Sequence, residues 1–560
     1  MASLIKESSE PGTDPAKSGR TSGHPDSAGT AAPGVNSNTE PAMAGDVLRE
    51  KTLTDRRPIH IDGAHEWARP SLSAQSLRRA ILLIEFVTAA FCIARCWKAV
   101  RWAMQPGLFM MLDEISNLHH FLTGVSWSGI TLLPQFAYND RPVGFILERW
   151  MFDAFGFDYK AQVIGMLLIH LANLVLAFVI FRRLGVSVLL SLTGLCVFGT
   201  LSTTAETVTY IGANFDVLCL FFMLASMAVS MSEKWLAAPL SAALFFLALR
   251  TKEFAIVLPV LLLGMAYCAS PVSRPTQVLR RLWIHFAIWG VFLCKYAMLI
   301  RRMISEIAPG NPYTIHASVH TVLTSLSYYI ALIFHADVPR EKGAVVMLTL
   351  AIAAYAFYRR HRWTLWALAA FVLTILPVSI IPGIRVSFYA YAPQLFLLLA
   401  FALTIEDVLK LSIKSEWNRW VASTAVVALI LTSVVTFQRS SYFLDRVNWT
   451  LGVRKISAIT AKDASKLLSG IAPDSTLFIY SGKETPWLLF PGPCDFFNVP
   501  QRRLSFNCVL GSSDDVLKQY DAHKTPKYYL TYGNDGSLRM SNVTSALHSP
   551  YQAGGLTHTP

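Results

Sequence analysis

Charge is scarce in this 560-residue sequence: Asp, Glu, Lys and Arg make up 15% of it, against 53% hydrophobic residues. Soluble globular chains carry about a quarter of their residues as charges, so an ordinary soluble globule is excluded and a polytopic membrane protein is implied. Acidic residues are the scarcer kind, 36 against 49 Lys and Arg, which leaves a formal net charge of +13. In a soluble chain that excess would suggest nucleic acid. Here the basic residues cluster at the ends of apolar runs, where orientation signals sit, and no nucleic-acid partner is expected.

Cysteine is equally sparse, with 8 residues, and no CxxC or Cys/His spacing suggests zinc. Six of the eight fall inside apolar runs, where a thiol behaves as a small hydrophobe. Cys494 and Cys508 lie in a polar region and would pair only in an oxidising compartment. A cleavable signal peptide needs an apolar core near residue 10, where Glu7, Glu10 and Pro11 stand instead, so none is expected. No clear internal repeat is visible, which speaks against the inverted-repeat plan of many transporters.

Residues 1–76 are rich in Ser, Gly, Pro, Ala and Thr without apolar periodicity, and are expected to be a disordered cytoplasmic tail. From residue 77 to 437 apolar runs alternate with short polar links. Placing the basic clusters inside orders these runs as 79–102, 161–181, 186–201, 214–231, 235–249, 255–268, 282–299, 344–358, 363–381, 388–404 and 420–437. That is roughly eleven spans of about 15–20 residues each. The short run 322–335 is read as not crossing, because a crossing there would move the basic clusters at 359–362 and 410–419 to the outer side. The expected fold is thus an α-helical polytopic membrane protein with a cytoplasmic N-terminus and two long outer loops, 104–159 and 300–343. Residues 438–560 read as a small extracytoplasmic α/β domain, with a helix near 456–469, strands at 476–480 and 527–532, and a turn at Asn534-Asp535-Gly536.

Polar groups next to apolar runs are costly and tend to face the bundle interior or a water-filled cavity. Asp113 and Glu114 open the first outer loop, and a carboxylate there suits general-base work on an acceptor hydroxyl. Glu206, Asp216, Lys252, Glu253, Arg385, Tyr389 and Tyr391 fall at the same outer face on this topology. Basic residues on that face run against the positive-inside trend and suit a phosphate partner. His170 and Asn173 are read as a helix–helix hydrogen bond rather than a ligand pair. His119 and His120 beside the two acids lack a third spacing that would lock a metal geometry, so no metal or other cofactor is expected, though a divalent ion stays chemically open.

Several segments in order resemble the GT-C superfamily of polytopic glycosyltransferases, nearest to its protein O-mannosyltransferase-like branch. They are the Asp113-Glu114 loop start, RPVGFILERWMFDAFGFD from Arg141, IHLANLVLAFVIFRRLG from Ile169, TTAETVTYIGANFDVL from Thr203, LALRTKEFAIVLPVLLL from Leu247 and IRVSFYAYAPQLFLLLA from Ile384. The likeness covers about residues 112–402. It implies inverting transfer of a sugar from a polyprenyl-phosphate donor in the bilayer to an acceptor hydroxyl at the outer face. Carried over onto this sequence, it implies Asp113 as general base with Glu114 beside it. It implies Lys252, Arg385 and Tyr389 at the donor phosphate, and Glu206, Arg141 and Glu253 in support. A lipid or glycan transporter and a non-catalytic envelope scaffold are the alternatives.

Overall fold

The computed structural model describes residues 72–110, 140–269, 275–306, 314–336, 338–412 and 449–468, four strands near the C-terminus, and single positions that include Glu114. Asp113, the tail, the two histidines, the run 420–437 (apart from Val435 and Thr436) and Cys494 lie outside these residues.

Helices dominate. They run as α1 (Leu72–Val100), α2 (Pro142–Phe155), α3 (Tyr159–Arg183), α4 (Val188–Thr200), α5 (Ser202–Thr209), α6 (Asn214–Ser230), α7 (Ala237–Leu249), α8 (Leu258–Ala269), α9 (Pro275–Glu306), α10 (Val319–Ile333), α11 (Pro339–Arg359), α12 (Arg362–Ser379), α13 (Tyr391–Ser412) and α14 (Trp449–Leu468). Among the described residues six helical stretches are long and apolar enough to cross a membrane: Tyr159–Arg183, Ile211–Ser230, Thr276–Arg301, Pro339–Arg359, Arg362–Ser379 and Ser387–Leu411. The α4–α5 pair, bent by 60°, makes a seventh if counted as one span. The chain is a multi-pass membrane protein. Helices α7, α8 and α10 are apolar but shorter.

The longest apolar stretch shows how the sequence specifies a span. Asp158 caps α3 by accepting a hydrogen bond from the Ala161 N–H, and Arg182 and Arg183 close it at the end where the helix dipole favours cations. Gly185 then takes a φ of +86°, a left-handed turn that side-chain-bearing residues resist. Along the helix Met166, His170, Asn173 and Ala177 are buried while Leu168, Leu171 and Val175 are exposed. Leucine outside and polar groups inside is the arrangement expected when the surroundings are lipid. His170 Nδ1 lies 2.7 Å from the Tyr391 hydroxyl, and Asn173 Nδ2 donates to that hydroxyl and to the Val217 carbonyl. These bonds tie α3 to α13 and α6.

Helix α5 is buried along its whole length. Thr203 and Thr204 both hydrogen-bond Gln394 of α13, at 2.5 Å each, which fixes the bend after α4. At the contact of α2 with α6, Gly144 lies so near the Phe215 ring that a Cβ would stand 2.1 Å from it. Only glycine permits that approach. Near the C-terminus, β1 (Thr476–Ser481) pairs in parallel with β2 (Asn507–Gly511) and β3 (Lys527–Tyr532), and β4 (Leu538–Ser541) closes antiparallel on β3, giving the order β2-β1-β3-β4. Buried Leu477, Leu530 and Leu538 share a core cluster with Ala464 of α14 and with Trp102, Met110, Phe152 and Tyr159. The sheet and α14 therefore pack on the start of the first long loop and on α2 and α3.

Candidate active site

The segment Arg250-Thr251-Lys252-Glu253 breaks the chain between α7 and α8. Arg250 ends α7 in helical geometry, Lys252 is extended at φ −158° and ψ 147°, and Glu253 starts a short 3-10 helix, Glu253–Val257. This break sends three charged side chains in different directions, each to an opposite charge. Arg250, fully buried, grips Asp140 with two bonds of 2.6 and 2.7 Å. Lys252 Nζ lies 2.5 Å from Asp216, near the start of α6. Glu253 accepts two hydrogen bonds from Arg141, at 2.8 and 2.9 Å. The Val143 N–H donates to the Arg250 carbonyl, which fixes the Asp140–Arg141 segment against the break.

Lys295, from the middle of α9, adds a second cation to Asp140 at 2.5 Å. Lys252 also stands 5.0 Å from the Tyr389 ring centroid and 5.4 Å from that of Phe388, within cation–π range. Burial would push the Arg141 guanidinium down, but the Glu253 carboxylate outweighs it and holds Arg141 above its ordinary value. Arg141 stays charged throughout the physiological range.

These groups form one end of a cavity of about 470 Å³. Its polar end comprises Asp140, Arg141, Asp216, Lys252, Glu253 and Lys295, and its walls are apolar, with Leu293, Leu299 and Ile300 from α9 facing Pro377, Val378 and Ile381 from α12 and its end. Pro377 interrupts the α12 ladder at this level. Arg250 does not line the cavity and holds Asp140 from outside it. An apolar slot ending in anchored cations is suited to an amphiphile whose anionic head is small.

Of the residues singled out in the sequence, Arg141, Lys252, Glu253 and Tyr389 line this cavity. Arg385 is not among its lining residues. It is partly buried, its guanidinium lies 5.2 Å from the Tyr328 ring, and its Nε has no hydrogen-bond partner among the described residues. Glu206 is buried in α5 near Ser387, away from the cavity lining, with one carboxylate oxygen unpartnered among the described residues. Glu114 is fully buried in an ion pair with Arg454 rather than open to a ligand. Asp113 lies outside the described residues. Sequence reasoning passed over Asp140 and Lys295. Lysine at the centre of an apolar run was the available signal for Lys295; Asp140 offered none, because its partners lie 110 and 155 residues further on. Among the described residues no group of three or more His, Cys, Asp or Glu side chains is placed to hold a metal ion.

No protein-family model matches the chain, and no curated protein matches it. Solved structures similar to the chain include two of one protein. One is ArnT from Cupriavidus metallidurans bound to undecaprenyl phosphate, at 14% identity over 83% of this chain and 94% of that one, with a TM-score of 0.43. The other is the same protein in the apo state, at 13% identity over 85% and 96%, also with a TM-score of 0.43.

Proposed function

We propose that this protein is an integral-membrane glycosyltransferase of the GT-C type that moves a sugar from a polyprenyl-phosphate donor to an acceptor hydroxyl at the outer membrane face. The observation that carries the reading is the cavity: apolar walls between α9 and α12 suited to a prenyl chain, closed by Arg141, Lys252 and Lys295. The lipid tail stays in the apolar slot. The cations bind the phosphate and stabilise the negative charge that grows on it as the sugar–phosphate bond breaks. Tyr389, stacked against Lys252, borders the same phosphate position.

Asp113 serves as general base, taking the proton of the incoming hydroxyl as its oxygen attacks the anomeric carbon from the face opposite the leaving phosphate, which inverts the configuration. Arg385 contacts the donor phosphate and Glu206 supports the site from outside the cavity lining, and the protein O-mannosyltransferase-like branch is the nearest relation we assign. The proposed topology has eleven crossings, a cytoplasmic tail over residues 1–76, a transmembrane body over 77–437 and an extracytoplasmic domain over 438–560.

The test is transfer from a panel of labelled polyprenyl-phosphate sugars by membranes carrying wild type or Asp113→Asn at matched expression. Removal of a general base lowers the rate by about 10²–10⁴-fold. Transfer by wild type and its loss in the variant is the expected result. Wild-type transfer that survives the substitution would rule out Asp113 as base, and absence of transfer from every donor would count against the enzyme class.

A further inference from the structure

Arg454 is an arginine on helix α14 with none of its side chain exposed. Such a residue must find partners in place of water, and its partners come from three separate parts of the chain. Both guanidinium ends grip the Glu114 carboxylate at 2.9 Å. One end also donates to the Phe109 carbonyl at 3.2 Å and the other to the Thr209 carbonyl at 2.9 Å. The Tyr159 ring lies against the guanidinium with its centroid 4.1 Å away, and its hydroxyl donates to the same Thr209 carbonyl. Glu114 in turn accepts the Ile211 N–H at 2.6 Å.

A buried ion pair contributes little net stability, because desolvation offsets most of the attraction. What this one supplies is geometry. A planar fork against a planar carboxylate allows one relative orientation, and the two carbonyls fix it against the chain on either side. The start of the first outer loop is thereby pinned to the turn after α5 by a residue some 340 positions away.

We propose that Arg454 is a positioning residue for sugar transfer: the C-terminal helix fixes Glu114, the residue that follows the proposed base Asp113 in sequence, against the Thr209–Ile211 turn. The inference rests on the glycosyltransferase reading for its catalytic consequence. The clamp itself does not.

The experiment uses full-length protein with the double substitution Glu114→Gln/Arg454→Met, which removes both charges of the pair together, and Arg454→Lys, which keeps the charge and removes the fork. Deuterium exchange at the Ile211 amide reads the clamp; kcat and KM with a polyprenyl-phosphate sugar read its consequence. The double variant is expected to raise Ile211 exchange by about an order of magnitude. It is expected to lower kcat by up to about 10²-fold, the cost of small misplacement, with donor KM essentially unchanged. Arg454→Lys should fall between, and it alone is read if the double variant does not accumulate. Wild-type exchange in the variants overturns the clamp. Raised exchange with wild-type kcat overturns the positioning role. If wild type transfers no sugar at all, the glycosyltransferase reading fails and the catalytic half of this proposal with it, while exchange still decides the clamp.

Discussion

At the scale of single residues, Glu148 is the least provided for. It is buried on α2, outside the helices that qualify as spans, and neither carboxylate oxygen has a hydrogen-bond partner among the described residues. The Asn214 side chain lies beside it and offsets a small part of the effect of burial. Burial first, and the nearby Glu114 charge second, push the Glu148 carboxyl up from 4.5 to about 8. The folded protein therefore keeps its proton at neutral pH while the unfolded chain loses it. The stability this group contributes is fully present below pH 4.5 and declines as pH rises towards 8, by roughly 1.4 kcal/mol per pH unit at most. Glu148→Gln should thus raise the melting temperature at pH 8 and leave it nearly unchanged at pH 4.5. Thermal unfolding of both proteins in detergent across that range checks it; an equal shift at both pH values would refute the assignment.

At the scale of elements, the break between α7 and α8 depends on partners it does not carry. Among the described residues Asp140 pairs with both Arg250 and Lys295. Asp140→Asn removes a buried carboxylate held by two buried cations and should destabilise the protein by about 3–5 kcal/mol. Lys295→Met leaves the Asp140–Arg250 pair intact and should cost distinctly less. Comparing the thermal stabilities of the two variants tests the asymmetry, and the reverse order would count against Asp140 as the hub. Elements also mark the limit of what the sequence discloses. The apolar runs corresponding to α3, α6, α9, α11, α12 and α13 stand out by length and hydropathy alone. Strand β2 does not, because five residues paired in parallel to a distant strand carry no local signature. Arg454 was missed for a related reason: α14 begins seven residues before the helix read from periodicity, and an arginine in a polar stretch looks like a solvated one.

At the scale of the whole molecule, candidate residues were legible because polarity inside an apolar run is rare, so Lys252 and Glu253 could be named without knowing what they touch, while Arg141 entered through the family resemblance. Their pairing was not legible, since Asp216 and Asp140 reach them only through the tertiary fold. Orientation is a separate property of the molecule. On the proposed topology a reporter fused after Phe437 lies outside the cytoplasm, and a fusion in the basic stretch 274–281 lies inside. Alkaline phosphatase activity for the first and its absence for the second are the expected outcomes; the opposite pair would invert the assignment of faces.

The four-residue break also sets an order of events during synthesis. Asp140 leaves the ribosome 110 residues before Arg250 and 155 before Lys295, and Asp216 leaves 36 before Lys252. The polar end of the cavity is therefore completed only when α9 has been made.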